Sequence, residues 1–228
     1  MNSKIIILMN TNRNFFTKLH VSTKRDYLER MMNNKVKCMQ VARKFDKNFW
    51  DGKRQFGYGG YNYIPGRWKT VAQKIIKTYK LKPGSKILDV GCGKGFLLYD
   101  LISEIKDLKV YGFDISKYAI KNCHPSIKKN LFVHDVRKKI NYPSGYFDLV
   151  FSFNTLHNLK IFELKFALNE IERIAKKKYI LVESYRNEKE LFNLQCWALT
   201  CNAFFSKKEW LWIYNEFGYS GDYEFIYF

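Results

Sequence analysis

The segment Lys86–Phe96 constrains the fold of this chain more than any other stretch. It begins with Ile87, Leu88 and Val90, a short apolar run typical of a strand buried on both faces. Glycines then alternate with other residues at positions 91, 93 and 95, which allows a tight turn where the backbone can approach a ligand closely. The segment therefore predicts the first strand and the phosphate-loop-like turn of a domain that binds a nucleotide cofactor.

Apolar runs and helical patterns alternate after this turn. The runs that predict further strands lie at 110–114, 131–135, 146–153, 179–183 and 223–227. The patterns that predict helices between them lie at 96–105, 115–122, 161–175, 191–200 and 206–217. This alternation predicts an α/β, Rossmann-like, doubly wound and mostly parallel sheet.

Acidic residues end several of the predicted strands. Ligands of an open parallel sheet bind beyond the carboxyl ends of its strands, where the strand order reverses. Asp114 ends the second strand, 19 residues after Gly95, which is close to the spacing at which an acid reaches the ribose hydroxyls of a bound nucleotide. Asp135 and Glu183 end the third and fifth strands. The sequence thus predicts a ligand site at this edge.

The run Ile-Leu-Asp-Val-Gly-Cys-Gly-Lys-Gly resembles the first motif of class I S-adenosylmethionine (SAM)-dependent methyltransferases. Phe96 stands where a dinucleotide-binding motif carries its last glycine, which turns the interpretation away from NAD. The resemblance implies SAM as cofactor, with Asp114 at its ribose, Asp135 at its adenine amino group and Asp89 near its ammonium group. It also implies an antiparallel edge at the C-terminal end of the sheet. The cofactor-binding residues predicted in this way are Asp89, Gly91, Gly93, Gly95, Asp114, Ile115, Asp135, Val136, Phe153 and Arg67.

The N-terminal part, residues 1–69, is expected to form a helical cap and lid on a methyltransferase core of residues 70–228. A helical pattern begins at Thr23, which has the spacing of a capping box with Asp26, and a second covers 35–49. A glycine- and tyrosine-rich stretch follows at 50–68. Glycine hinges with aromatic and arginine side chains suit a lid over a small ligand. The lid candidates are Tyr58, Tyr61, Tyr63 and Arg67. A surface loop whose aromatic rings pack on the core is the alternative.

Methyl transfer from a sulfonium is an in-line displacement, and it needs a base only when the acceptor arrives protonated. His157 follows the fourth strand and Glu183 ends the fifth, and both are the catalytic candidates. Asn154, Tyr185 and Arg186 are candidate substrate contacts. Two alternatives stay open: His157 as a histidine that only bonds a neighbour, and a simple Glu183–Arg186 ion pair.

The formal net charge of +19 raises the question of an anionic partner, and residues 1–70 alone carry 15 Lys and Arg against 4 Asp and Glu. The leading hypothesis is O- or N-methylation of a small polar metabolite or a glycan sugar, with an anionic acceptor favoured. An RNA or DNA methyltransferase is the second hypothesis, although Asn154-Thr-Leu-His differs from the motifs of base-methylating enzymes. A non-catalytic SAM-binding regulatory protein is the third. The oligomeric state is not predicted.

Five cysteines without a Cys-x-x-Cys pair favour reduced thiols, and the chain is expected to be cytoplasmic. No metal site is predicted. The apolar run Ile5–Met9 is too short to span a bilayer. Met9 is an alternative start of the protein.

Overall fold

The computed structural model describes residues 11–228. The apolar run at 5–9 and the alternative start at Met9 lie outside these residues. Ten helices flank one sheet in this part of the chain: α1 (Thr17–Val21), α2 (Tyr27–Met32), α3 (Lys35–Ala42), α4 (Lys47–Asp51), α5 (Lys69–Tyr79), α6 (Phe96–Glu104), α7 (Lys117–Lys121), α8 (Ile161–Ile174), α9 (Glu188–Trp197) and α10 (Lys207–Glu216). No helix among them is long and apolar enough to cross a bilayer.

The sheet has six strands in the described residues: β1 (Lys86–Val90), β2 (Lys109–Asp114), β3 (Leu131–Val133), β4 (Phe147–Phe153), β5 (Ala175–Glu183) and β6 (Asp222–Ile226). Their order is β3-β2-β1-β4-β5-β6. The chain moves outward from β1 to β3 and then returns to β4 on the other side of β1, so the order reverses between β1 and β4. The ligand crevice of such a sheet opens beyond the carboxyl ends of these two strands. The predicted Rossmann-like fold is confirmed.

The central strands are apolar on both faces because helices cover both. Leu88 and Val90 of β1 face the layer that contains α8 and α10, whereas Ile87 faces the layer of α5 and α6. All three side chains are fully buried. This two-sided burial explains why β1 is a nearly continuous apolar run.

The expectation of an antiparallel C-terminal edge is wrong. β6 pairs with β5 in parallel over its whole length, from Tyr179 opposite Asp222 to Glu183 opposite Ile226. The helices α9 and α10 form a crossover that returns the chain to the amino end of the sheet, so β6 enters in the direction of β5. Thr11 and Arg13 bond the free side of β6, since Arg13 N–H donates to Tyr223 O and Tyr223 N–H donates to Thr11 O.

The helical pattern at 35–49 is interrupted in the structure. Helix α3 ends at Ala42, and Phe45 has φ +49°, a left-handed conformation that cannot continue a right-handed helix. Asp46 then caps a new helix, α4, by accepting a hydrogen bond from Asn48 N–H. The consequence is a change of direction that carries α4 onto α7, beside the glycine turn.

The N-terminal helices run along the carboxyl edge of the sheet. α1 contacts β6, α2 contacts α9, and α4 contacts α7, which follows β2. We call residues 11–68 the belt. It therefore passes from the outermost strand β6 to the far side of the crevice, and it covers the place where a ligand of this sheet binds.

Candidate functional site

The glycine turn between β1 and α6 has the tight, left-handed backbone conformation that favours glycine. Gly91, Gly93 and Gly95 have φ values of +81°, +55° and +75°. A Cβ at Gly91 would lie 2.0 Å from Thr155 Oγ1, and one at Gly93 would lie 2.8 Å from the ring of Trp50. Both the backbone conformation and the close approach of neighbouring side chains therefore require glycine here.

Asp114, at the end of β2, organises this turn. Its Oδ2 accepts a hydrogen bond from Gly93 N–H (2.9 Å), and its Oδ1 accepts one from Ser116 N–H (2.8 Å). Burial raises the pKa of the carboxyl, and the two backbone donors oppose that shift. A carboxylate oxygen can accept more than one hydrogen bond, so both oxygens keep capacity for ligand hydroxyls.

Asp89, at the end of β1, is buried, and its Oδ1 has no hydrogen-bond partner in the described part of the chain. Burial, with a smaller effect of Asp114, raises its pKa well above the usual value. Buried polar atoms without partners are rare in folded proteins. Burial, then Tyr58 and the charge of Asp89, raise the pKa of Tyr61 in the belt. Asp89 thus offers an acceptor to a cationic ligand group beneath the belt.

Trp50 and Asp51 join the belt to the glycine turn. Asp51 accepts hydrogen bonds from Lys94 Nζ at 2.8 and 2.7 Å, and also from Tyr61 N–H and Tyr118 O–H. Lys94 stands between the second and third glycines, and only 4% of its side chain is exposed. Trp50 lies on Gly93 and donates its Nε1–H to Ser116 Oγ. Neither Asp51 nor Lys94 was among the residues predicted from the sequence; the position of Lys94 between two glycines of the turn is the signal that could have identified it.

The predicted lid tyrosines take different positions. Tyr58 stacks on Trp50 with ring centres 5.2 Å apart, and its ring centre is 4.5 Å from that of Tyr61. Tyr61 in turn stacks on Phe96, directly after the glycine turn. Tyr63 is a tether, since its hydroxyl donates to Asp100 of α6 at 2.6 Å. Arg67 is exposed, and its charge opposes the increase in the pKa of Tyr61 that burial causes.

Asp135 has a salt-bridge partner of its own. The guanidinium of Arg137 donates to both carboxylate oxygens, and these bonds hold the pKa of Asp135 below its usual value. Val136 beside it is buried in the core, whereas Ile115 is 44% exposed next to Asp114. An adenine contact at Asp135 would share the carboxylate with Arg137.

Phe153 and Asn154 end β4. The Phe153 ring packs among Phe16, Trp68 and Tyr179, on the side of the sheet that faces α5. Asn154 has φ +52°, and its Oδ1 is buried without a hydrogen-bond partner among the described residues. Asn154 therefore resembles Asp89 in presenting an unused acceptor beyond the strand ends.

His157 and Glu183 come together at the ends of β4 and β5. Glu183 N–H donates to His157 Nδ1 (3.3 Å), and His157 Nε2 lies 3.5 Å from Glu183 Oε2. Burial lowers the pKa of His157, although the charge of Glu183 opposes this shift. The neutral ring therefore carries its proton on Nε2, facing the carboxylate. With Nδ1 already used as an acceptor, the partly exposed carboxylate of Glu183 is the better proton acceptor of the two.

Tyr185 and Arg186 are engaged elsewhere. Arg186 Nε donates to Glu190 (3.0 Å), and its guanidinium lies 4.3 Å from the ring centre of Tyr227. Tyr185 O–H is 3.5 Å from Glu209. The proposed Glu183–Arg186 ion pair is absent from the described residues, because Glu190 takes the guanidinium.

A methyltransferase-domain family model matches residues 81–218 of this chain. YrhH of Bacillus subtilis, which is named a methyltransferase, is 24% identical over 134 residues, covering 56% of this chain and 73% of YrhH. An uncharacterised methyltransferase of Synechocystis is 24% identical over 151 residues, covering 64% of this chain and 68% of the relative. A SAM-dependent methyltransferase of Aquifex aeolicus shares the fold with a TM-score of 0.51 and 24% identity, covering 68% of this chain and 84% of that structure.

The residues at the crevice fit SAM. The unpartnered Asp89 Oδ1 suits an ammonium group, the glycine turn leaves room for close backbone approach, and Asp114 keeps acceptor capacity for ribose hydroxyls. Within residues 11–228, no group of three or more His, Cys, Asp or Glu side chains is arranged to hold a metal ion. The matched family model, the parallel sheet and the acids at its strand ends lead to one assignment: the chain belongs to the class I SAM-dependent methyltransferases.

Proposed function

We propose that this methyltransferase modifies an oxygen or nitrogen atom of a small polar acceptor, bound between the belt and the ends of β4 and β5, with Glu183 as the proton acceptor. The observation that carries the proposal is the paired arrangement of Glu183 and His157, in which the carboxylate is oriented and partly exposed. The polar acceptor class includes metabolites and glycan sugars, which present hydroxyl or amino groups.

Each residue has a separate task in this proposal. SAM, when bound, supplies an electrophilic methyl group on its sulfonium. Asp89, Asp114 and the glycine turn hold SAM, while Glu183 takes the proton that the acceptor atom loses as its bond to the methyl carbon forms. His157 is a positioning residue, because its Nε2 faces the carboxylate and its Nδ1 accepts from the Glu183 backbone.

The belt supports a small acceptor. The helices α2, α3 and α4 lie along the edge of the sheet where the methyl acceptor must enter. Burial, followed by the charge of Glu183, raises the pKa of Tyr58 to about 12. A duplex or a folded RNA would need this edge open, which disfavours the nucleic-acid alternative.

The proposal is tested with the full-length protein, SAM and a filtered metabolite extract, with methylated products identified by mass spectrometry. We expect Glu183→Gln to reduce turnover about 100-fold or more, the usual contribution of a general base, while SAM affinity stays unchanged. Glu188→Gln, at an exposed glutamate nearby on α9, is the matched control and should keep full activity. Full turnover in Glu183→Gln would exclude the assigned base.

The variant His157→Ala distinguishes the positioning role of His157 from the role of Glu183 as proton acceptor. We expect a lower kcat with a SAM dissociation constant that changes less than about twofold, because His157 acts through Glu183 and not on the cofactor. His157→Gln, which retains a side-chain donor, should recover part of the activity. A loss of SAM binding in both variants would contradict a positioning role.

A further inference from the structure

Three arginines of the belt surround a single indole ring. The guanidinium carbons of Arg25, Arg30 and Arg54 lie 5.4, 5.0 and 5.1 Å from the ring centre of Trp197, at the end of α9. Guanidinium groups stack favourably on an indole face, but three on one ring also bring three positive charges close together. We call these arginines, together with Lys35, the cationic cluster.

Lys35 is the fourth member of the cationic cluster. Its Nζ donates to Cys196 O (2.6 Å), one residue before Trp197. Burial, followed by repulsion from Arg30, lowers the pKa of Lys35 to about 8. Burial and the charge of Arg54 also lower the pKa of Arg30, to about 10. The fold therefore holds these positively charged side chains close together in a partly buried environment.

No carboxylate among residues 11–228 lies within 4.0 Å of these four cations, although 10 such ion pairs or contacts form elsewhere in the described structure. Their hydrogen bonds go mainly to carbonyl oxygens: Arg30 donates to Trp197 O and Arg54 O, and Arg54 donates to Gly57 O. Arg25 Nε is buried and has no hydrogen-bond partner in the same part of the chain. Backbone carbonyls orient the cationic cluster but leave its net charge uncompensated.

The charge of the proposed proton acceptor acts on the cationic cluster. Burial lowers the pKa values of Arg25 and Lys35, and the negative charge of Glu183 opposes both shifts. A single carboxylate that is already shared with His157 cannot balance four cations. The end of α9 thus carries a group of cations without a carboxylate partner among the described residues, and the charge of the candidate base acts on two of them.

We propose that the methyl acceptor is a small acid whose carboxylate or phosphate group binds the cationic cluster while its nucleophilic oxygen or nitrogen faces Glu183. This inference rests on the proposed function and names the substrate class of the same site. Guanidinium forks match carboxylate and phosphate oxygens geometrically, and an anion removes the repulsion within the cationic cluster.

The first test measures anion binding without any turnover. The melting temperature of the full chain is recorded with inorganic phosphate or acetate against chloride at equal ionic strength. We expect at least one of the two anions, at about ten times its dissociation constant, to raise the melting temperature by about 3 °C. The rise should fall to less than half in Arg54→Gln and Lys35→Gln and remain in Lys77→Gln, an exposed lysine on α5. Equal rises in all variants, or none in the native protein, would overturn the proposal.

The second test identifies the acceptor. Products from labelled SAM and a filtered extract are separated on an anion-exchange resin, and we expect the labelled product to be retained and to contain a carboxylate or phosphate. A neutral labelled product, or label in the RNA fraction of an unfiltered extract, would overturn this inference. A failure of all methyl transfer would count against the proposed function, whereas the melting experiment would still decide whether the cationic cluster binds an anion.

Discussion

Two aspartates at the ends of neighbouring strands differ in their hydrogen bonding, although both are buried. Asp114 accepts hydrogen bonds from two backbone N–H groups, whereas Asp89 Oδ1 has no partner among the described residues. Asp114 therefore stabilises the glycine turn even in the free protein. Asp89 costs free energy in the folded state, because a buried carboxyl without a partner loses its hydration. Such a cost is expected where a ligand supplies the missing partner.

Asp89→Asn should accordingly weaken SAM binding while leaving the melting temperature of the free protein unchanged or higher. The loss of a charge-assisted hydrogen bond corresponds to about tenfold or more in the dissociation constant. Isothermal titration with SAM and thermal melting measure the two quantities. Asp107→Asn is the control, since Asp107 is exposed and asparagine tolerates its left-handed φ of +62°. Unchanged SAM affinity in Asp89→Asn would remove Asp89 from the cofactor site.

At the scale of elements, Glu224 of β6 holds the start of the belt. Its carboxylate is 1% exposed and accepts hydrogen bonds from Phe15 N–H (2.6 Å), Thr17 N–H (2.8 Å) and Tyr179 O–H (2.6 Å). It thereby satisfies N–H groups at the beginning of α1 that have no partner inside the helix. The attachment of the belt to the sheet depends on this side chain.

Glu224→Ala should lower the free energy of unfolding by about 3 kcal/mol, because several buried donors lose one shared acceptor. Hydrogen exchange should rise first at residues 15–21, ahead of the rest of the molecule. Glu216→Gln, at an exposed glutamate on α10, provides the comparison and should change neither quantity. Protection of residues 15–21 that survives Glu224→Ala would show that other contacts hold the belt.

A second attachment of the belt is the pair of Asp51 and Lys94, whose charged atoms are 2.7 Å apart. Removing one partner of a nearly buried pair leaves the other charge without compensation. Asp51→Asn should therefore destabilise the chain by about 3 kcal/mol and increase hydrogen exchange at residues 52–61. The double variant Asp51→Asn with Lys94→Met should recover part of the stability. If the double variant is no more stable than Asp51→Asn, the buried charge of Lys94 is not the cause.

At the scale of the whole molecule, stability should depend on pH through His20, which joins the belt to the C-terminus. His20 Nε2–H donates to Tyr227 O (2.8 Å), and Nδ1 accepts from Arg25. Burial, then the charge of Arg25, lowers its pKa from 6.5 to about 4. Between these values the unfolded chain binds a proton that the folded chain excludes. Stability therefore falls as the pH decreases below about 6.5.

Denaturant unfolding at pH 7.5 and 5.5 should show a decrease of about 1 kcal/mol that is attributable to His20. His157, whose pKa burial also lowers, contributes in the same direction. His20→Gln keeps a donor for Tyr227 O and should reduce the pH dependence without abolishing it. A pH dependence identical in His20→Gln and the native chain would contradict this account.

Much of the core follows from local sequence. Local patterns predicted the strands β1, β2, β4 and β5, the glycine turn, and the position of Asp114 at a strand end. A buried strand requires a run of apolar residues, and a left-handed turn requires glycine, so both can be read from the sequence. The break at Phe45 was not recognisable, since nothing in the composition of 35–49 marks a left-handed residue. The parallel β6 was missed because strand direction depends on the path of the two preceding helices and not on the strand's own residues.

Short motifs within single elements were enough to predict the class of fold and the cofactor, and the same motifs carry the prediction that Asp89, Asp114 and Asp135 bind that cofactor. Which side chains contact one another became known only from the tertiary structure. Asp51 pairs with Lys94, His157 lies against Glu183, and Asp135 forms a salt bridge with Arg137. It also decided that Arg186 pairs with Glu190 while Arg25, Arg30 and Arg54 gather around Trp197. These pairings join residues distant in the chain, and electrostatic energy depends on distance in space, which no local pattern of residues encodes.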